Sequence, residues 1–201
     1  MEKGRVEAFS DGVIAIAITL LVLEIRVPAP IDGGRHLGHD LARQWPSYAA
    51  YVVSFLTIGI IWINHHATLR RLRAVDHTLL LLNLVLLLLI AVIPWSTALI
   101  AAYLREPGGD RVAAVVYGGN FLLVTAAFYA LQRHILFHAN RLTHEHVDDA
   151  AKRRIDRRGR VGLLPYLIAT ATGLVSAYLT LGICALIAIY YALPTTIYER
   201  E

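Results

Sequence analysis

Arg5, Ser10 and Asp11 stand at one end of the stretch RVEAFSDGVIAIAITLLVLEI, Arg5 to Ile25, and Glu24 stands at the other. A second concentration of reactive side chains, His65 and His66, follows Asn64 in another apolar run. Adjacent imidazoles near a membrane carboxylate could hold a metal that activates water, the chemistry of an intramembrane metalloenzyme. Their spacing argues against it. Consecutive helical residues point about 100° apart, so the pair lacks the i, i+4 arrangement of HExxH, and a third ligand would have to be Asp11 or come from another span. Histidines that donate to Asp11 or to a backbone carbonyl are the ordinary alternative. His138, His144 and His146 could sense metal or pH, but they sit in HANRLTHEHVDDAAKRRIDRRGR, which mixes charge signs and lacks an apolar core. That segment reads as a solvated helical extension whose arginines hold topology and touch anionic headgroups.

The elements that must position these groups follow from composition. With 57% hydrophobic and 17% charged residues among 201, and a mean hydropathy of +0.55, the chain is an all-α integral membrane protein. Cys184 has no second cysteine to pair with, which removes a disulfide framework or a cysteine metal site. A sequence pI near 9.4 raises nucleic acid as a partner. In a membrane chain, however, the distribution of basic residues between loops matters more than their total, and no nucleic acid is expected.

Stretches lacking Asp, Glu, Lys and Arg run over 44–69, 77–104, 112–132 and 161–198. The last, at 38 residues, is too long for one crossing and suits a tight hairpin, with its turn expected between Ser176 and Gly182. Together with the opening helix this predicts a single domain over 1–201 with six spans, near 6–26, 47–69, 77–103, 112–134, 161–177 and 180–198. A cytoplasmic segment is expected over about 135–160. With the N-terminus inside, 14 Lys and Arg fall on cytoplasmic segments and 5 outside, so the positive-inside rule places both termini in the cytoplasm. A cleaved signal peptide is a rival reading of the first helix, but Asp11 and Glu24 bracket its apolar core and no small-x-small site follows. Pro94 is expected to kink the third span, and Trp45 to anchor the second at the interface.

The first helix is short for a membrane. Gly12 to Leu23 is free of charge, and twelve residues span about 18 Å against about 30 Å of hydrocarbon. Gly12, Ile16, Thr19 and Leu23 fall within about 60° on a helical wheel, with Leu20 at the margin. Asp11 lies off that stripe and must meet protein, because an unpaired carboxylate facing lipid is costly. A helix buried among others, with a wet vestibule at each end and a short dry throat, would carry this pattern. On spacing alone, helix contact and pore lining both remain open for the stripe.

Arg5, Phe9, Ser10, Asp11, Ala15, Ile16 and Thr19 form RxxxFSDxxxAIxxT, which resembles the first-helix signature of the transmembrane protein 175 family, potassium channels of lysosomes and prokaryotes. The resemblance extends to IWINHH, Ile61 to His66, and to six spans over nearly the whole chain. The animal form resembles two such units joined, whereas this chain has one. The resemblance implies a homotetramer around a pore lined by the first helix. Ile16 matches the family's hydrophobic constriction, Leu20 and Leu23 match apolar layers beyond it, and Thr19 matches a hydroxyl-bearing pore position. Arg5, Ser10 and Asp11 match a polar network holding the first helix to its neighbours. Its partners would be Trp62, Asn64, His65 and His66, with Asn83 and Trp95. Geometry agrees that Arg5 and Asp11, about 120° apart on the helix, cannot simply pair with each other.

Such a pore has no carbonyl filter, because no TVGYG occurs. The nearest string is VVYGGN, whose Gly118 and Gly119 read as close-packing positions. Potassium, with other monovalent cations, is the expected permeant, with moderate selectivity and no cofactor. Glu24 would either draw cations to an outer vestibule or pair with Arg26 or Arg43. A secondary transporter is the alternative in another class, but no internal repeat supports it. A single unit without a lysosomal address implies a prokaryotic plasma membrane.

Overall fold

In lipid every backbone N–H and C=O must be satisfied within its own segment, so long runs of Leu, Ile, Val and Ala become helices. The computed structural model describes residues 3–29, 36–137 and 148–193, and among them every regular element is helical. Helix α1, Lys3–Leu20, tightens into a 3-10 turn, Leu21–Glu24. The short α2, Leu37–Arg43, leads into α3, Trp45–Arg70, which has Pro46 in its first turn, where the missing N–H costs nothing. Trp45 stacks on Tyr178 with ring centroids 6.3 Å apart.

Asp76 starts α4, His77–Ala91, by accepting the Leu79 N–H at 2.7 Å. His134, far along the chain, also reaches the Asp76 carboxylate at 3.0 Å. Burial works against the charge on Asp76, but the Leu79 N–H and the His134 ring outweigh it and hold the carboxyl below its ordinary range. Helix α5, Ile93–Tyr103, follows after a break at Val92, with Pro94 in its opening turn, so the third apolar stretch is interrupted at the proline. The hydroxyls of Ser96 and Thr97 both donate to the Ile93 carbonyl, at 3.0 and 2.8 Å.

Helix α6, Asp110–Phe137, is the hub of the bundle, buried along Tyr117, Phe121, Val124 and Leu131, and it packs against α4, α5, α8 and α9. Gly118 makes one of these approaches possible: a Cβ there would lie 3.0 Å from the Thr170 Cα, whereas one at Gly119 would meet only the Thr170 methyl at 3.9 Å. Lys3–Glu24, Trp45–Arg70, His77–Tyr103 and Asp110–Phe137 are each long and apolar enough to cross a membrane.

Downstream, α7, Asp149–Val161, runs into α8, Leu163–Thr172, and the chain then turns into α9, Ala177–Ala192. The turn occupies 173–176, ahead of its expected position between Ser176 and Gly182. Gly173 explains the shift. It presses on the backbone of α6, where a Cβ would stand 2.9 Å from the Val115 nitrogen, and the Thr172 carbonyl takes the N–H groups of Val175 and Ser176. The helix bounds therefore differ from the expected 161–177 and 180–198. His138, His144 and His146 lie outside the described residues.

Helix α1 packs against α3, α4 and α5 from one side. The expectation of a first helix surrounded by others is not met within one chain. Here α6 is the central helix, and α1 keeps an open face because its apolar stripe finds no partner among the described residues.

Candidate functional site on the first helix

Val6, Ser10, Ile14 and Ala17, followed by Leu21, repeat every three or four residues and are buried. This face carries α1 onto the bundle, and Ser10 is its polar member. The Ser10 hydroxyl donates to the Val6 carbonyl one turn back, at 2.8 Å, which leaves its oxygen free to accept. The Asn83 amide of α4 donates to that oxygen at 2.9 Å. Its nitrogen being so used, the Asn83 carbonyl oxygen turns to His65 of α3, whose Nε2–H donates at 2.8 Å. The result is a directed chain, from His65 through Asn83 and Ser10 to a backbone carbonyl, that joins three helices. All three side chains are buried, and the His65 Nδ1 is buried without a hydrogen-bond partner among the described residues.

One residue on, His66 points elsewhere. Trp62 and His66 lie one turn apart on α3, their rings stacked at 5.9 Å, and both face Asp11. The Trp62 Nε1–H donates to the Asp11 carboxylate at 2.9 Å, and the His66 Nδ1 stands 3.9 Å from it. The adjacent histidines thus serve different helices, His65 toward α4 and His66 toward α1. No group of three His, Cys, Asp or Glu side chains placed to hold a metal occurs among the described residues.

Two other expected members of the network, Arg5 and Trp95, lie apart from it. Arg5 is exposed, with no hydrogen bond or ion pair among the described residues. Trp95 is 58% exposed on α5 and makes no hydrogen bond to this cluster. The Asn64 amide donates to the Ile60 carbonyl in its own helix, at 2.8 Å. A tie not anticipated from the sequence is Lys3, which donates to the Arg70 carbonyl at 3.2 Å and pairs with Glu7. A cation at the final carbonyl of a helix is the ordinary complement to its dipole, and that was the available signal. A second unanticipated cluster lies deeper. Ser54 shares hydrogen bonds with Thr97 at 2.7 Å and Tyr117 at 3.0 Å, while the Asn120 amide donates to Ser96 at 3.1 Å.

Opposite the docked face, Gly12, Ile16, Thr19, Leu20 and Leu23 are exposed. Ile16 is 61% open and Leu23 71%. The Thr19 hydroxyl donates back to Ala15 and Ile16 carbonyls at 3.0 and 2.9 Å, so its oxygen faces outward as an acceptor. Glu24, half-buried at the end of the 3-10 turn, forms no ion pair with Arg26 or Arg43 among the described residues. Helix α1 is therefore gripped by polar bonds near one end and presents an open aliphatic face with a single hydroxyl.

The model of the endosomal/lysosomal potassium channel TMEM175 family matches residues 5–94, which hold both α1 and the histidine pair. A potassium channel from Streptomyces collinus is 50% identical over 190 residues, covering 94% of this chain and 91% of that protein. The mouse endosomal/lysosomal proton channel TMEM175 is 37% identical over 114 residues, 53% of this chain and 23% of that one. Among solved structures, the lysosomal potassium-selective channel TMEM175 homologue from Chamaesiphon minutus superposes with a TM-score of 0.83 at 41% identity, covering 94% of this chain and 96% of its own. With identity at this level along nearly its whole length, and the FSD-bearing helix inside the matched segment, the chain belongs to the TMEM175 family.

Proposed function

We propose that this chain is a potassium channel whose conduction path runs along the open face of α1. The observation that carries the reading is the division of that helix. One face is fixed to α3 and α4 through Ser10, and the opposite face leaves Ile16, Thr19, Leu20 and Leu23 open among the described residues. Four copies placed about an axis would turn that face into a pore, with Ile16 and its symmetry mates as the narrowest ring. Six crossings per subunit, the last two from the α8–α9 hairpin, leave both termini in the cytoplasm of a prokaryotic cell. The whole chain forms one transmembrane domain.

An aliphatic ring closes a pore by excluding water, and conduction requires only that it widen enough for a partly hydrated cation. No carbonyl filter strips the ion, so discrimination between potassium and sodium is moderate. Ser10, Asp11, Trp62, His65, His66 and Asn83 hold the pore helix in register. Arg5 and Trp95 remain candidates for contacts between subunits, Asn64 stays a candidate member of the network that holds the pore helix, and Glu24 concentrates cations at the outer mouth. The relatives found are named as ion channels rather than enzymes.

The test is potassium efflux from liposomes containing the purified protein, with sodium and a bulky organic cation for comparison. Ile16→Asn should wet the constriction and raise resting potassium flux. Unchanged flux from a well-folded Ile16→Asn protein would remove Ile16 as the gate, and no cation flux from wild type would remove the channel itself.

A further inference from the structure

Helix α7 has two unlike faces. Lys152, Ile155, Asp156 and Gly159 turn inward. Asp156 is only 8% exposed and accepts the Tyr129 hydroxyl of α6 at 2.8 Å, while Arg160 pairs with it at 3.0 Å. At Gly159 the Tyr129 ring is so close that a Cβ would fall 2.7 Å from its Cδ2. This seat fixes the rotation of α7 about its own axis.

The outer face is then determined. Arg153, Arg154, Arg157 and Arg158 are all exposed and span an arc of about 140°. No carboxylate lies within that arc; the residues between them are Ala150 and Val161. Asp149, outside it, is engaged by Lys152 at 3.3 Å.

Gly162 keeps right-handed helical angles between α7 and α8, so the winding carries through. Counted along it, Leu164 and Ile168, both more than half exposed, fall at the azimuth of Arg153 and Arg157, about two to three turns further on. Guanidinium groups thus stand directly above an open aliphatic strip. A phospholipid has that polarity and length: an anionic phosphate to accept from arginine, then acyl chain to lie on Leu164 and Ile168.

We propose that the outer face of α7 with the start of α8 is a binding site for an anionic phospholipid of the cytoplasmic leaflet. The site rests on the placement of α8 in the membrane and of α7 at its cytoplasmic edge. Pinned by Asp156 to the long central helix, α7 couples the charge of the surrounding leaflet to the bundle.

Full-length protein in neutral detergent is equilibrated with equal amounts of phosphatidylglycerol and phosphatidylcholine of identical chains and washed, and the retained lipid is quantified by mass spectrometry. Wild type should retain phosphatidylglycerol about tenfold over phosphatidylcholine. The combined Arg153→Gln, Arg154→Gln, Arg157→Gln and Arg158→Gln protein should fall to near parity, and the corresponding Lys combination should keep most of the preference. Undiminished enrichment in the Gln combination, or none in wild type, overturns the proposal. So does loss of phosphatidylglycerol to competing inorganic phosphate at equal concentration, which would assign the face to a soluble anion. If the Gln combination does not fold by circular dichroism, Arg157→Gln alone decides, with a loss of about threefold expected and no loss overturning the site. Potassium flux in pure phosphatidylcholine liposomes separates the two readings. Flux without lipid preference removes only the lipid site, and lipid preference without flux in any liposome removes only the channel.

Discussion

Replacing Asn83 with Ala should weaken the docking of α1 more than replacing Ser10 with Ala, although the two side chains share one hydrogen bond. Asn83 is the middle member of the chain. Its loss strands the His65 Nε2–H inside a fully buried site, where the other ring nitrogen is already without a partner. Loss of Ser10 strands one amide hydrogen of Asn83 but leaves the Asn83–His65 bond in place, so one bond between helices is lost rather than two. A stranded buried donor costs about 1–3 kcal/mol in soluble proteins. Hydrogen bonds between membrane helices measure lower, averaging about 0.6 and reaching about 1.7 kcal/mol, because separated helices find other partners in lipid. His65 has no second bond to fall back on, so the upper part of the membrane range applies. We expect about 1.5 kcal/mol for Asn83→Ala and about 0.5 kcal/mol for Ser10→Ala. Because the effect of Ser10 passes through Asn83, adding Ser10→Ala to Asn83→Ala should cost almost nothing, a coupling of about 0.5 kcal/mol. Unfolding in mixed micelles titrated with dodecyl sulfate, followed by circular dichroism, measures all four corners of the cycle. Additive costs, or equal costs for the two single variants, would refute a directed chain and reduce these contacts to ordinary packing.

Asp76 supplies a pH dependence of definite sign. Its carboxyl is held below the ordinary carboxylate range by the Leu79 N–H and His134 against the opposing effect of burial. Its contribution is therefore complete above about pH 4 and is lost as the pH falls through the lower folded value. The advantage of wild type over Asp76→Asn in thermal midpoint should shrink on acidification in that window, and a constant gap would contradict the assignment. Gly118→Leu should destabilise by about 1–3 kcal/mol because the new side chain meets the backbone of α8, whereas Gly119→Ala should be tolerated; equal melting of the two variants would count against the close approach. Glu24→Gln should lower potassium conductance at low salt and converge with wild type at high salt, while a salt-independent deficit would make Glu24 a structural group.

Much of this arrangement was legible in the residues, for physical reasons that also set its limits. A carboxylate in an apolar run must find a donor, and Asp11 found Trp62. The angular separation of adjacent helical residues kept His65 and His66 off one helical face, but it did not give the partner of either. That choice depends on how α3 is rotated against α1 and α4, a property of packing rather than of any local pattern. The hairpin turn was misplaced because hydropathy treats Gly173 and Gly182 alike, whereas only Gly173 lies against a backbone and Gly182 has open space around it. The hydroxyl cluster of Ser54, Thr97 and Tyr117 escaped notice for a related reason. Single polar residues spread over three apolar helices show no motif until those helices meet. Arg5 matches the family signature, but its guanidinium is exposed, and an exposed charge has no packing from which a partner could be read.

The 3-10 turn at the end of α1 is a short length of overwound thread. Residues Leu21 to Glu24 advance about 2.0 Å each and turn about 120°, against about 1.5 Å and 100° in the α-helix behind them. Slackening those four residues to α-helical pitch would draw Glu24 back by about 2 Å along the helix and screw it round by about 80° relative to Ile16. The base, clamped through Ser10 and Asp11, need not move for this to happen. Leu21, fully buried in a turn that packs against α3 and α5, is the tooth that resists the twist, so the pitch of the far end of this helix is set by how firmly one leucine is seated.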